Sequence, residues 1–145
     1  MTDIAFKSLA IAVLTISDTR TEAEDVSGKL LVNKLTEAGH QCAEKAIVRD
    51  DKYEIREVIS RWIADGAINA VLTTGGTGIT GRDGTPEAVK PLLDKEIEGF
   101  GEMFRVLSYE EIKTSTLQSR TLCGVANSTY TVSYTHLTLP TILRV

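Results

Sequence analysis

The stretch that decides the fold is Val71-Leu72-Thr73-Thr74-Gly75-Gly76-Thr77-Gly78-Ile79-Thr80-Gly81-Arg82-Asp83-Gly84-Thr85-Pro86. It opens as a short β-branched apolar run, the signature of a buried strand, and then passes five glycines between positions 75 and 84. Glycine lets peptide N–H groups converge where a Cβ would block them, and such a nest of donors suits an anion, most often a phosphate. Thr85 then reads as an N-cap, with Pro86 at the first helical position and Glu87 behind it. The positive end of a helix is thereby expected beside the same loop.

Two named motifs fail on inspection. Gly76, Gly78 and Gly81 match G-x-G-x-x-G, but a dinucleotide fingerprint opens directly into its helix, whereas Arg82, Asp83 and Gly84 intervene here. The spacing of Gly76 and Gly81 is that of a P-loop, yet Arg82 and Asp83 stand where Lys and Ser or Thr are required. Asp83 beside a phosphate cradle has two explanations. It binds a cation such as Mg²⁺ that sits between it and the phosphate, or it only makes a turn with Gly84.

Outward from this stretch, strand and helix alternate. Residues 9–17 read as a first strand ending at Ser17 and Asp18, followed by a helix capped by Asp25, with Leu31, Leu35 and Ala38 inward and Gly39 as its stop. Residues 42–48 are a second strand that ends at Arg49, Asp50 and Asp51. Asp51 and Glu54 fit a capping box for a helix with Ile55, Val58, Ile59, Trp62 and Ile63 in one stripe, which places Trp62 in the core. Only one of the two aspartates is needed as a cap, so Asp50 is left as a candidate ligand at the end of a strand. After the glycine loop a short helix spans 86–93. Glu98, Gly99, Phe100 and Gly101 interrupt it, a further amphipathic helix follows, and residues 122–126 read as one more strand. The pattern predicts an α/β domain, a three-layer sandwich with a mainly parallel sheet covered by helices on both faces.

Composition bounds the function. The 145 residues suit one domain, and a net charge of -4 without a basic cluster gives nothing to neutralise nucleic acid or an acidic membrane. Cys42 and Cys123 lack CxxC or metal spacing and read as free thiols in a reducing compartment. The apolar run at 9–16 lacks the flanks of a signal peptide and nothing approaches a membrane span, so a cytoplasmic protein is expected.

At this point the chain resembles the molybdenum-cofactor biosynthesis proteins MoaB and MogA, together with the matching domain of gephyrin, and looks closest to the MoaB branch. The pieces that carry the likeness are Thr15-Ile16-Ser17-Asp18, Asp25-Val26-Ser27-Gly28, Thr73-Thr74-Gly75-Gly76-Thr77-Gly78 and Arg82-Asp83-Gly84-Thr85-Pro86-Glu87-Ala88. To these are added Glu98-Gly99-Phe100-Gly101-Glu102, Leu117-Gln118-Ser119-Arg120 and Gly124-Val125-Ala126-Asn127. The resemblance implies a small-molecule enzyme that moves AMP from Mg-ATP to the terminal phosphate of molybdopterin. It implies Mg²⁺ as cofactor, ATP and molybdopterin as substrates, and assembly into trimers or hexamers. Carried onto this chain, Asp50 and Asp83 are the catalytic and metal-linked carboxylates. Gly75, Gly76, Thr77 and Gly78 hold phosphate, with Arg120 or Arg82 as the assisting arginine. Ser17 and Asp18 fall near the pterin, Glu98, Gly99, Phe100 and Gly101 near the nucleotide, and Ser119 is a further contact. Some MoaB-branch proteins lack the residue matching Asp50, so a non-catalytic molybdopterin-binding scaffold is the alternative; a dehydrogenase would rest on G-x-G-x-x-G alone.

The end of the chain departs from this family. After Asn127 a further strand, a Pro-Gly turn at the ligand phosphate and closing helices are expected, and none is legible. Val132-Ser133-Tyr134-Thr135-His136-Leu137-Thr138-Leu139-Pro140-Thr141 resembles instead a translated sequencing-library adapter, with Thr141 where the turn needs glycine. Residues 1–131 are thus expected to form an incomplete domain and 132–145 a foreign tail, with His136 no ligand and an inactive truncated product as a further alternative.

Overall fold

In a computed structural model, which describes residues 5–134, six strands form one mixed sheet in the order β2-β1-β3-β6-β5-β4. The strands are β1 (Ala10–Ile16), β2 (Gln41–Val48), β3 (Ala70–Thr74), β4 (Lys95–Glu96), β5 (Leu122–Ala126) and β6 (Thr129–Tyr134). The helices are α1 (Val26–Glu37), α2 (Lys52–Ala64), α3 (Thr85–Val89) and α4 (Glu98–Ile112). β2, β1, β3 and β6 are parallel neighbours, while β5 and β4 continue the sheet antiparallel. The parallel part is the part expected from strand and helix alternation, because each crossover carries a helix.

The sheet is covered on both sides. Ala12, Leu14, Ile16 and Val71 pack against Ile55, Val58, Ile59 and Trp62 of α2 and Ala88 and Val89 of α3. On the opposite face Ile11, Val13, Ala70 and Leu72 meet Leu31 and Leu35 of α1, Phe104 of α4 and Tyr134. Each large apolar side chain buried in these layers contributes about 1.5–3 kcal/mol relative to exposure. Trp62 is in the core as its stripe predicted, and its indole N–H donates to Glu44 of β2. The expected caps form: Asp25 accepts from the Gly28 N–H, and Asp51 from those of Tyr53 and Glu54. Only half of the capping box is made, because the Glu54 carboxylate is drawn to Arg49 at 2.8 Å.

Three local expectations are corrected. The residues Glu98, Gly99, Phe100 and Gly101 do not interrupt a helix but form the first turn of α4, where the Phe100 ring stacks on Phe104 and burial outweighs the low helix propensity of glycine. The cap of α3 is Gly84, and Thr85 is its first helical residue because its hydroxyl is spent on the Gly75 carbonyl at 2.9 Å. A strand does follow Asn127. Residues Asn127 and Ser128 both have positive φ, 49° and 62°, and make a two-residue hairpin that returns the chain as β6, with Ala126 opposite Thr129. Val132, Ser133 and Tyr134, assigned from the sequence to a foreign tail, complete this strand and pair with Leu72, Thr73 and Thr74 of β3. The rest of the segment read as foreign, including His136, lies outside the described residues. Among the described residues no helix is long and apolar enough to cross a membrane, and Cys42 and Cys123 are free thiols.

Candidate functional site

Because β1, β2 and β3 run parallel, their carboxyl ends reach one edge of the sheet, and each hands the chain to a polar segment there. β1 delivers Ser17 and Asp18, β2 delivers Arg49 and Asp50, and β3 delivers the glycine loop. Ser17 shapes its own turn, accepting at Oγ from the Arg20 N–H at 3.1 Å while its own N–H donates to the Val48 carbonyl. The three segments are joined by hydrogen bonds. The Asp50 N–H donates to Asp18 Oδ1 at 3.0 Å, Asp50 Oδ1 accepts from the Gly84 N–H at 3.2 Å, and Arg82 reaches back across the edge to both carboxylate oxygens of Asp18.

The loop begins with two residues that only glycine fits. Gly75 and Gly76 have φ of +105° and +73°; a Cβ on Gly75 would overlap the Ile16 carbonyl, and one on Gly76 would overlap Thr85 Oγ1 and stand 3.0 Å from Asp50 Oδ2. The Thr85 N–H donates to the Gly76 carbonyl at 3.1 Å, so the start of α3 is stitched to this turn. Thr77 is buried, and its carbonyl accepts from the Arg120 N–H at 2.9 Å. Farther along, the Asp83 carboxylate lies over Gly78 and accepts from both the N–H and the hydroxyl of Thr80, at 3.0 and 2.8 Å. Asp83 thus does make a turn, but with Thr80 rather than with Gly84, whose N–H goes to Asp50. Ile79, Thr80, Gly81, Asp83, Gly84, Glu87 and Arg120 line an open cavity of about 410 Å³ beside it.

The electrostatics distinguish Asp18 from Asp50. Arg82 beside Asp18 holds its carboxyl below the ordinary carboxylate range, with the Asp50 N–H adding to the effect. Asp50 is pushed the other way. Burial leads, the Gly84 N–H opposes it, and the neighbouring charges of Asp18 and Asp83 add to the rise. A carboxylate held among like charges gains from a cation, and Asp50 and Asp83 carry the oxygen donors that a hard cation takes. A complete protein cage is not formed: among the described residues no group of three or more His, Cys, Asp or Glu side chains converges as metal ligands would.

The remaining candidates stand next to this centre. Glu98 and Gly101 line a second cavity of about 270 Å³ with Glu96, Glu102, Arg105, Thr121 and Cys123; Gly99 is exposed, and the Phe100 ring faces the core. The segment 119–121 separates the two cavities, with Arg120 lining the first and Thr121 the second, and the Ser119 carbonyl accepts from Arg105 Nε at 3.0 Å. Sequence reasoning missed Glu87 and Arg105. Glu87 passed for an ordinary first-turn acid, although it pairs with Arg120, an arginine 33 positions away that no local pattern reveals.

Comparison with known proteins agrees with the fold and identifies the family. The profile of the family described as "Probable molybdopterin binding domain" matches residues 12–142. Molybdenum cofactor biosynthesis protein B of Escherichia coli (strain K12) is 56% identical over 119 residues, which are 82% of this chain and 70% of that protein. A crystal structure of a molybdenum cofactor biosynthesis protein B superposes with a TM-score of 0.88 at 45% identity, covering 97% of this chain and 88% of the other. The tungsten cofactor synthesizing protein MoaB from Pyrococcus furiosus gives 0.82 at 35% identity, covering 97% and 91%. On these likenesses the chain belongs to the MoaB/MogA family of molybdenum cofactor biosynthesis proteins.

Proposed function

We propose that the chain is a molybdopterin adenylyltransferase that uses Mg-ATP. The observation that carries this reading is the placement of Asp50 against the glycine turn, 3.0 Å from where a side chain on Gly76 would begin, with Asp83 over Gly78 on the same loop. In the proposed reaction an oxygen of the molybdopterin phosphate attacks the α-phosphorus of ATP. The bond from that phosphorus to the bridging oxygen of the β-phosphate breaks, and pyrophosphate leaves. Such a transfer asks the protein for positioning and charge neutralisation more than for covalent chemistry. The loop from Gly75 to Gly78 would hold the phosphate, with Gly76 and Gly78 offering backbone donors; the Gly75 N–H itself donates to the Tyr134 carbonyl at 3.2 Å, and the buried Thr85 keeps that turn in shape through the Gly75 carbonyl. Asp50 and Asp83 would hold Mg²⁺, which when bound neutralises phosphate charge. Glu98 and Gly101, which line the second cavity, would contact the rest of a long two-part substrate.

The test is pyrophosphate release and adenylylated product from the chain with molybdopterin, ATP and Mg²⁺. Asp83→Asn and Asp50→Ala should each lower turnover by a factor of about 100 or more, the loss typical of removing an electrostatic group from such a site, with circular dichroism unchanged. Near wild-type turnover in both variants would sink the assignment. Binding of molybdopterin with no ATP consumption by the wild type would make the chain a pterin-binding scaffold instead.

A further inference from the structure

The site contains two arginines, and the structure gives them different jobs. Arg120 is spent. Its Nε donates to the Gly78 carbonyl at 2.7 Å, one terminal nitrogen donates to the Asp83 carbonyl at 2.6 Å, the other pairs with Glu87, and its own N–H holds the Thr77 carbonyl. These contacts fasten both limbs of the glycine loop and the first turn of α3 to the segment leading into β5. Three of its five guanidinium N–H groups are taken, and moving the group to face a phosphate would strain its bonds to loop carbonyls, whose loss is unfavourable for half-buried polar groups. Arg82 is differently placed. It stands on the loop's outer turn, 69% exposed, and its two bonds, of 2.9 and 2.7 Å, go to the two oxygens of Asp18, itself 37% exposed. A planar guanidinium that grips two carboxylate oxygens presents the same fork to two oxygens of a phosphate, and an exposed pair of this kind contributes little to stability.

We propose that Arg82 is the residue that takes the substrate's phosphate, with Asp18 as its stand-in partner until the ligand arrives, and that Arg120 is a positioning residue that aims Asp83. The proposal rests on the reading of the 75–84 loop as a phosphate site. It has a second consequence. When a phosphate displaces Asp18, the released carboxylate remains beside Asp50, whose N–H it still accepts, so anion capture adds a free negative charge on the side where the cation is required.

Calorimetric titration with inorganic pyrophosphate, with and without Mg²⁺, tests this without depending on turnover. Arg82→Ala should weaken pyrophosphate binding about 10–100-fold, the loss of a charged double hydrogen bond, while the melting temperature stays within the error of wild type. Asp18→Asn should tighten binding, because it frees the guanidinium. Arg120→Lys should lower the melting temperature and reduce kcat for adenylyl transfer through a misaimed Asp83, with pyrophosphate affinity and KM close to wild type; the lysine is used because Arg120→Ala removes every loop contact at once. Wild-type affinity in Arg82→Ala, or weaker binding in Asp18→Asn, overturns the assignment of Arg82. An Arg120→Lys protein that keeps its stability and kcat but binds pyrophosphate tenfold more weakly reverses the two roles. If the wild type binds no pyrophosphate under either condition, the loop is not a phosphate site and both readings fall together, whereas binding that ignores Arg82 overturns this inference alone.

Discussion

Replacing Asp25 with alanine should destabilise the protein far more than its place in an acidic surface loop suggests. The carboxylate is buried, and it is held from three elements at once: by the Thr15 hydroxyl of β1 at 2.8 Å, the Gly28 N–H in the first turn of α1 at 2.9 Å, and the Lys45 ammonium of β2 at 2.8 Å. Loss of the helix cap costs about 1 kcal/mol. The Thr15 hydroxyl, buried under α1, would be left without its acceptor, at about 1–3 kcal/mol. Lys45 keeps Glu22 at 3.0 Å and is partly open to water, so its share is at most about 1 kcal/mol. Together the loss is about 2–5 kcal/mol, a large part of the roughly 5–15 kcal/mol that holds a domain folded. In urea, with a slope of about 2 kcal/mol/M, the midpoint should fall by about 1–2.5 M. Asp25→Asn keeps an acceptor for Gly28 and should lose about half as much. The effect also has a pH signature. Burial opposes ionisation of Asp25, but Lys45, the Gly28 N–H and Thr15 outweigh it and hold the carboxyl below its ordinary 3.8. A depressed folded pKa gives stability that is complete above 3.8 and is lost as pH falls through the lower folded value, so the gap between wild type and Asp25→Asn should close only in that acid window. An Asp25→Ala midpoint within 0.5 M of wild type, at unchanged slope, would refute the reasoning.

The other predictions follow from single observations. Asp50→Asn should raise the melting temperature of the ligand-free protein while abolishing transfer, because the raised carboxyl destabilises the fold at neutral pH and loses that penalty as pH falls toward its folded pKa; a lower melting temperature for the variant would contradict this. Gly76→Ala should lower stability by about 2–3 kcal/mol, since φ is +73° and the new methyl overlaps Thr85 Oγ1, and urea titration checks it. Ser128→Gly should stabilise by about 0.5–1 kcal/mol, as glycine fits the second positive-φ position of the hairpin without strain; no gain in thermal unfolding would argue against that turn. The Cys123 thiol, buried and pushed up to about 11, should resist iodoacetamide at pH 8 until the protein is unfolded by denaturant, and rapid labelling of the folded chain would show the core open at β5.

What the sequence made legible was what it states locally. The strand at 70–74 is a β-branched run ended by glycines, α2 is a stripe at helical spacing behind an aspartate, and both stand where they were expected. The meeting of Asp18, Asp50 and Asp83 was also inferable, because parallel strands bring their carboxyl ends together. β6 was not legible. Its six residues alternate threonine, tyrosine and serine, and the apolar signal that marks a buried strand is carried only by Val132 and the rings. The clue lay in the turn, Asn127-Ser128 between two extended runs, which is a weaker hairpin signal than Asn-Gly. The Asp25 knot and the Arg120 clamp were invisible for a different reason. Each joins residues 10 to 42 positions apart whose partnership depends on how the layers stack, and no spacing rule encodes that.

The place of β6 in the sheet also governs the order of events during synthesis. β1, β2 and β3 can pair as soon as they leave the ribosome, but β5 and β4 have no partner in that half-sheet and join it only through β6, which follows every other described strand in the chain. From the emergence of Thr74 to that of Thr129 the ribosome adds 55 residues, which at ordinary elongation rates leaves the edge of β3 unpaired for roughly 3–11 s. During that interval a nascent chain with a finished but open-edged half-sheet is a template for its neighbours on the same message. For this fold the hazardous moment in the cell is a timed gap in translation, and a pause in elongation between β3 and β6 would lengthen it.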